Sequence, residues 1–260
     1  MHIIRSSVLS LALLISTQLF AQNEMIYESN EYISQEDTLL YRVLWPEKFK
    51  KKKKYPLVLF LHGSGERGND NKKQLIHGSK LFLDNRKEFP AIVVFPQCPE
   101  EDYWSNVNRK EDSTGHKQFN FTVGQPPTHA MEQLMSLMDS LTQLSFVDQK
   151  RVYVMGLSMG GMGTFEIISR KPDMFAAAVP ICGGARPETA KNFASKVNLW
   201  VFHGAKDDVV PPQKSEVMVE AIKKANGNVK FTLYPNANHN SWDSTFAEPE
   251  LLKWLFSNTK

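Results

Sequence analysis

Apolar residues recur along this chain in two periods, and the alternation between them sets the first structural expectation. Residues 26 to 33 and 38 to 45 are rich in Tyr, Ile, Leu and Val on either side of the polar run Ser34-Gln35-Glu36-Asp37, which reads as an opening β-hairpin. Short continuous apolar runs follow at 57 to 61, 91 to 95, 152 to 155, 176 to 181, 199 to 202 and 230 to 234. Runs of this length suit strands buried on both faces, as in a parallel sheet. Helix-like spacing occupies 128 to 143, 159 to 170, 212 to 225 and 248 to 257. Together these predict an α/β architecture: a mostly parallel central sheet with helices on both faces and the first two strands as an antiparallel edge.

The intervals refine that expectation. Only 17 residues separate the runs ending at Ile181 and starting at Leu199, too few for a large cap domain. The longest interval, 96 to 127, is polar and aromatic, with Tyr103, Trp104, Phe119 and Phe121. Loops of that length are commonly functional or mobile. No repeat, low-complexity block or linker divides the chain, so residues 22–260 read as one domain.

Residues 1–21 carry Arg5, an apolar stretch from Val8 to Ile15 and then Leu19-Phe20-Ala21. This is the layout of a secretory signal cleaved near Ala21, which predicts a periplasmic or extracellular protein. The apolar stretch is shorter than the ~20 residues that cross a bilayer, so stable membrane insertion is not expected. Cleavage would remove one positive charge and lower the formal net charge from +3 to +2, too little to imply a nucleic-acid partner. The cluster of Lys48 and Lys50 to Lys54 reads as a solvated loop. Cys98 and Cys182 follow strands with two others between them, a gap of ~14 Å at the usual strand spacing. That exceeds the reach of a disulfide, so two free thiols are expected.

The stretch most informative about chemistry is Val152-Tyr153-Val154-Met155-Gly156-Leu157-Ser158-Met159-Gly160-Gly161. It places G-x-S-x-G between an apolar strand and a helical pattern, the setting of a nucleophile elbow with Ser158 at its tip. A serine hydroxyl needs a base, and that base needs an acceptor to fix its tautomer. Chain order on this elbow is nucleophile, acid, base. His239, in Asn238-His239-Asn240-Ser241-Trp242 beyond the last strand, is the candidate base. For the acid, Asp207 is favoured over its neighbour Asp208, and Asp243 reads as a loop brace. His62 and His203 end strands and read as packed structural histidines. The oxyanion of an acyl-transfer intermediate needs N–H donors. Those expected are the backbone N–H of Met159, at the helix start, and of Ser64, with Gly65 next. Trp104, Trp242 and Gly65 are candidate substrate-binding residues, and the chemistry requires neither metal nor cofactor.

Taken together, His62-Gly63-Ser64-Gly65-Glu66-Arg67-Gly68, Gly156-Leu157-Ser158-Met159-Gly160-Gly161, His203-Gly204-Ala205-Lys206-Asp207-Asp208-Val209-Val210-Pro211 and the late Asn238-His239-Asn240-Ser241-Trp242 resemble the α/β-hydrolase superfamily. More narrowly, they are similar to the bacterial dienelactone hydrolase, carboxylesterase and "predicted peptidase" group, which includes esterase D-like and feruloyl esterase-like enzymes. The resemblance implies an α/β-hydrolase fold and the roles just assigned to Ser158, Asp207, His239, Met159 and Ser64. It departs from dienelactone hydrolases proper in having Ser where they have Cys, which argues against a dienelactone substrate. The expected activity is that of an exported serine carboxylic ester hydrolase acting on a small-molecule or polysaccharide-linked ester, acyl or feruloyl. A serine peptidase and a catalytically silent binding protein on the same fold are the alternatives. The resemblance leaves open whether Glu66 and Arg67 brace the oxyanion loop as a local ion pair or touch substrate.

Overall fold

The computed structural model describes residues 26–34, 37–111, 117–122 and 124–260. The expected export signal, residues 1–21, lies outside the described residues, as do Gln35 and Glu36 of the first turn. The strands are β1 (Glu28–Ser34), β2 (Asp37–Leu44), β3 (Tyr55–Leu61), β4 (Ile92–Pro96), β5 (Val107–Glu111), β6 (Lys117–Phe121), β7 (Val147–Leu157), β8 (Ala177–Ile181), β9 (Asn198–Gly204) and β10 (Val229–Tyr234). The helices are α1 (Ser79–Asp84), α2 (His129–Thr142), α3 (Met159–Arg170), α4 (Ala190–Phe193), α5 (Gln213–Lys224), α6 (Trp242–Phe246) and α7 (Leu251–Ser257).

Eight strands form the central sheet in the order β1-β2-β4-β3-β7-β8-β9-β10. β1 and β2 are antiparallel, as are β2 and β4, and every later neighbour pair is parallel. The continuous apolar runs are explained by burial on both sides. Leu57, Leu59 and Leu61 of β3 face a core with Leu134 and Met138 of α2, Phe165 of α3 and Met218 of α5. Val58 and Phe60, pointing the other way, pack with Phe82 of α1 and Leu251 and Leu255 of α7. Strand side chains alternate faces, so a strand between two helical layers has no polar position to spare. Helix α2 begins where Thr128 accepts a hydrogen bond from Met131 N, a side-chain N-cap.

Differences from the sequence pattern have local causes. β7 starts at Val147 rather than near 152: Val147 pairs with Tyr55, the register shifts before Val152 pairs with Leu57, and the side chains of Asp148-Gln149-Lys150-Arg151 between them stay in or near solvent. Helix α7 starts at Leu251, past Pro249, which disfavours helical geometry in the residue before it. The 96 to 127 interval contains a separate two-stranded arm, β5 with β6, in which Arg109 opposes Phe119. Phe119, Phe121 and Val107 pin it to the core. Lys48 and Lys50 to Lys54 are exposed, as their composition suggested. Among the described residues, no helix is long and apolar enough to cross a membrane.

β4 and β8, which precede Cys98 and Cys182, are separated by β3 and β7. Both cysteines are free and buried. Burial pushes both thiols up, well out of the reactive range. The native protein is therefore expected to leave a thiol-specific chromogenic reagent unreacted over minutes and to titrate two thiols once unfolded in guanidinium. Rapid native reaction, or no thiols after unfolding, would contradict this packing.

Candidate active site

The end of β7 and the start of α3 are forced together, and the residue between them is strained. Ser158 has φ 53° and ψ −115°, a region that residues with a side chain rarely adopt. The surrounding glycines make the turn sterically possible. A Cβ on Gly160 would fall inside contact distance of Leu61 O, and one on Gly156 would strike the Gly160 carbonyl. Because both obstacles are backbone, nothing can rotate away. Gly160→Ala is expected to cost about 1–3 kcal/mol, seen as a fall of about 2–12 °C in the thermal midpoint. An unchanged midpoint would mean that the elbow has slack it does not display here.

Three loops at the carboxyl ends of β7, β9 and β10 bring the polar groups together. Ser158 Oγ lies 2.9 Å from His239 Nε2, and His239 Nδ1 lies 2.8 Å from Asp207 Oδ2. Since a carboxylate only accepts, Nδ1 carries the ring hydrogen and donates to Asp207, leaving Nε2 to accept from the serine hydroxyl. Asp207 Oδ1 accepts from Val209 N and Val210 N, both at 2.9 Å. Burial alone pushes the Asp207 carboxyl up. Hydrogen bonds from His203, His239 and Val210 N, with the His239 charge, together outweigh it and hold the group well below the usual carboxylate range. Asp208, one residue on, is exposed.

Cys182 also has its sulfur near this pair: the ligand atoms of Cys182, Asp207 and His239 lie within 4.8 Å of one another. The carboxylate's acceptor positions are filled by N–H groups and the thiol is held protonated by burial, so the cluster is built to position a histidine and does not suit a metal.

Ser64, Ser158 and His239 line one cleft of about 380 Å³, whose remaining walls are Tyr103, Phe119, Val209 and, from the β5–β6 arm, Arg109 and Lys110. Arg109 lies over the Tyr103 ring, 4.3 Å from its centroid. Met159 is the first residue of α3, where an N–H has no intrahelical partner. Ser64 opens a 3-10 turn, Ser64–Glu66, in which Ser64 and Gly65 are exposed and Glu66 is buried, and Gly65 faces open space without lining the cleft.

Two expectations need correction. Trp104 is fully buried in the core, its ring 5.5 Å from that of His62, so it cannot reach a ligand. Trp242 does not line the cleft either; it starts α6 and sets its ring edge-to-face on His239, with centroids 5.5 Å apart. It braces the imidazole from behind. The sequence pattern also missed the cleft role of Tyr103, Arg109, Lys110, Phe119 and Val209. The period-two Val107, Arg109 and Phe119, Phe121 are the signal that would have revealed the arm.

Glu66 and Arg67 do not pair with each other. Arg67 donates to Ser64 O, Glu100 O and Asp102 O, tying the turn to the segment after β4. Glu66 is largely buried and faces His77 at 3.8 Å, with burial pushing its carboxyl up. His62 is structural: its Nε2 accepts from Cys98 N at 3.0 Å and its Nδ1 donates to Gly63 O at 2.6 Å, and burial lowers its pKa to about 4. A neutral His62 thus holds the Gly63-Ser64 turn against β4 at every ordinary pH. His203 is likewise buried, yet its Nε2 lies 3.1 Å from Asp207 Oδ2, a contact that the sequence did not suggest.

Known proteins similar to this chain include ester hydrolases. The chain is 33% identical over 161 residues to a bifunctional acetylxylan esterase/xylanase of Neocallimastix patriciarum, covering 62% of this chain and 20% of that protein. It is 29% identical over 180 residues to an endo-1,4-beta-xylanase/feruloyl esterase of Xylanibacter ruminicola, covering 67% and 23%. It therefore spans less than a quarter of the length of either relative. A crystal structure of a thermostable esterase superposes with a TM-score of 0.78 at 31% identity, covering 90% of this chain and 64% of that one. Residues 85–248, which include the elbow, Asp207 and His239, match the model of one family, and on that match the chain belongs to the dienelactone hydrolase family.

Proposed function

We propose that this protein is a serine carboxylic ester hydrolase that works through an acyl-enzyme on Ser158. The observation that carries the reading is the continuous hydrogen-bond chain from Ser158 Oγ through His239 to Asp207, opening onto a cleft. In this reading Ser158 attacks the ester carbonyl while His239 Nε2 takes the hydroxyl proton. Asp207 stabilises the imidazolium that forms. The N–H groups of Met159 and Ser64 receive the developing oxyanion, as fixed donors that need no reorganisation when the charge forms. His239 then protonates the departing alcohol, water enters, and the same base activates it to release the acid and restore Ser158.

Tyr103, Phe119 and Val209 give the cleft apolar surface suited to an acyl or aromatic acyl group, beside the polar Ser64, Arg109 and Lys110. Together with the names of the xylan-active relatives, this supports acetyl or feruloyl esters carried on a polysaccharide. The export pattern in residues 1–21 supports an encounter in the periplasm or outside the cell. The test is a panel of p-nitrophenyl acetate, methyl ferulate, acetylated xylo-oligosaccharides and aminoacyl p-nitroanilides. Turnover of the esters and not of the anilides is expected. Cleavage of the anilides alone would replace the esterase reading with a peptidase.

A further inference from the structure

His203 is a buried histidine whose partners are all used, and two of its contacts end on the same aspartate loop. Its Nε2 lies 2.9 Å from Val210 O and 3.1 Å from Asp207 Oδ2. Its Nδ1 lies 2.7 Å from Ser215 Oγ, which itself sits 3.0 Å from Gly183 O. A carbonyl and a carboxylate both only accept, so Nε2 must carry a hydrogen. That hydrogen is shared between Val210 O and the very carboxylate oxygen that receives His239 Nδ1–H. Neither the His203 nor the Asp207 side chain is exposed, so water cannot substitute for this donor.

The geometry points to His203 as a positioning residue for the Ser158–His239–Asp207 chain: its Nε2–H fixes the Asp207 carboxylate and draws on the oxygen that faces His239. This rests on the esterase reading above and deepens it. The physical effect has a definite sign. A carboxylate stabilises a nearby imidazolium by its charge, and each donor to it spreads that charge. With the His203 donor in place, Asp207 stabilises a positive charge on the His239 ring less. Removing the donor strengthens that stabilisation and moves the acid limb of kcat/KM upward. The other titratable groups around the pair are Cys182, within 4.8 Å, and Arg109, Lys110 and Tyr103 along the cleft. His77, with Glu66 beyond it, lies on the far side of Trp242. None of these changes when His203 is replaced.

Three substitutions separate the donor from the packing. His203→Gln keeps an N–H near the Nε2 position. His203→Asn places its amide near Nδ1, so it retains the Ser215 contact and loses the donor to Asp207. His203→Leu removes both. The readout is the pH profile of kcat/KM for p-nitrophenyl acetate. The acid limb is expected to rise by about half to one pH unit in the Asn and Leu variants, the scale of one hydrogen bond to a charged group. The Gln variant should keep the wild-type position. An unmoved limb in His203→Asn, or equal movement in all three, overturns the proposal. Should the variants fail to fold, nitrogen-15 histidine NMR on the wild type decides. His203 as the Nε2–H tautomer, with that proton shifting as His239 titrates, supports the role; the Nδ1–H tautomer or an unresponsive signal sinks it. If wild type hydrolyses no ester, the esterase reading fails, while the NMR result still judges His203.

Discussion

Ser158→Ala is expected to lower kcat/KM for p-nitrophenyl acetate by at least about 10⁴-fold while leaving the fold intact. The substitution deletes the atom that bonds to carbon and leaves His239 with no proton to take. Binding groups and oxyanion donors survive, so a residual rate above the uncatalysed reaction is expected. Stability provides an independent check. With φ 53° and ψ −115°, position 158 suits glycine and strains any other residue. Ser158→Gly should therefore be inactive yet raise the thermal midpoint, by the 2–4 °C that about 1 kcal/mol gives in a chain of this size. Equal activity in wild type and Ser158→Ala would remove the acyl-enzyme from consideration. A lower midpoint in Ser158→Gly would mean that the elbow is held by the side chain and not despite it.

Asp207→Asn is expected to cost about 10³–10⁴-fold in kcat. Asn can still offer an oxygen to Val209 N and Val210 N, where Asp207 Oδ1 accepts two hydrogen bonds. Its amide NH₂ would then face His239 Nδ1–H and His203 Nε2–H, and donors would oppose donors. The way out is for His239 to move its hydrogen to Nε2, where it points at Ser158 and cannot act as a base. Asp208→Asn, at the exposed neighbour, should stay within about twofold, and a loss like that of Asp207→Asn would reassign the acid. The two variants also differ in acid stability. The Asp207 carboxyl is depressed in the folded state, so its contribution is fully present above the unfolded value of about 4 and is lost as pH falls below it. Unfolding below about pH 4 should be less steeply pH-dependent in Asp207→Asn than in wild type.

The parts of the site that could be read from sequence are those with local geometry. G-x-S-x-G between an apolar strand and a helix pattern specifies a tight turn, because Gly156 and Gly160 leave room only for hydrogen where backbones meet. Asp207 and His239 follow from the order of strands and the need for a base with an acceptor. The cleft was different. Trp104 and Trp242 looked like walls because large aromatics often are, but whether a side chain faces a ligand depends on which way its loop leaves the sheet. Their places were taken by Tyr103, Phe119 and Arg109, residues from a long interval whose two strands are only five residues each, so their period-two pattern is short.

By itself the sequence determined the two periods of hydrophobicity, and through them a buried parallel sheet with helices on both faces, and it marked the one serine placed on a strained turn. Those properties are encoded within about ten residues of each other, so neighbouring side chains are enough to specify them. Tertiary structure alone decided that His203 shares the Asp207 oxygen that meets His239, and that the β5–β6 arm closes one side of the cleft. Each of these joins loops distant in sequence, and their meeting depends on the strand order and loop paths, which local pattern does not contain.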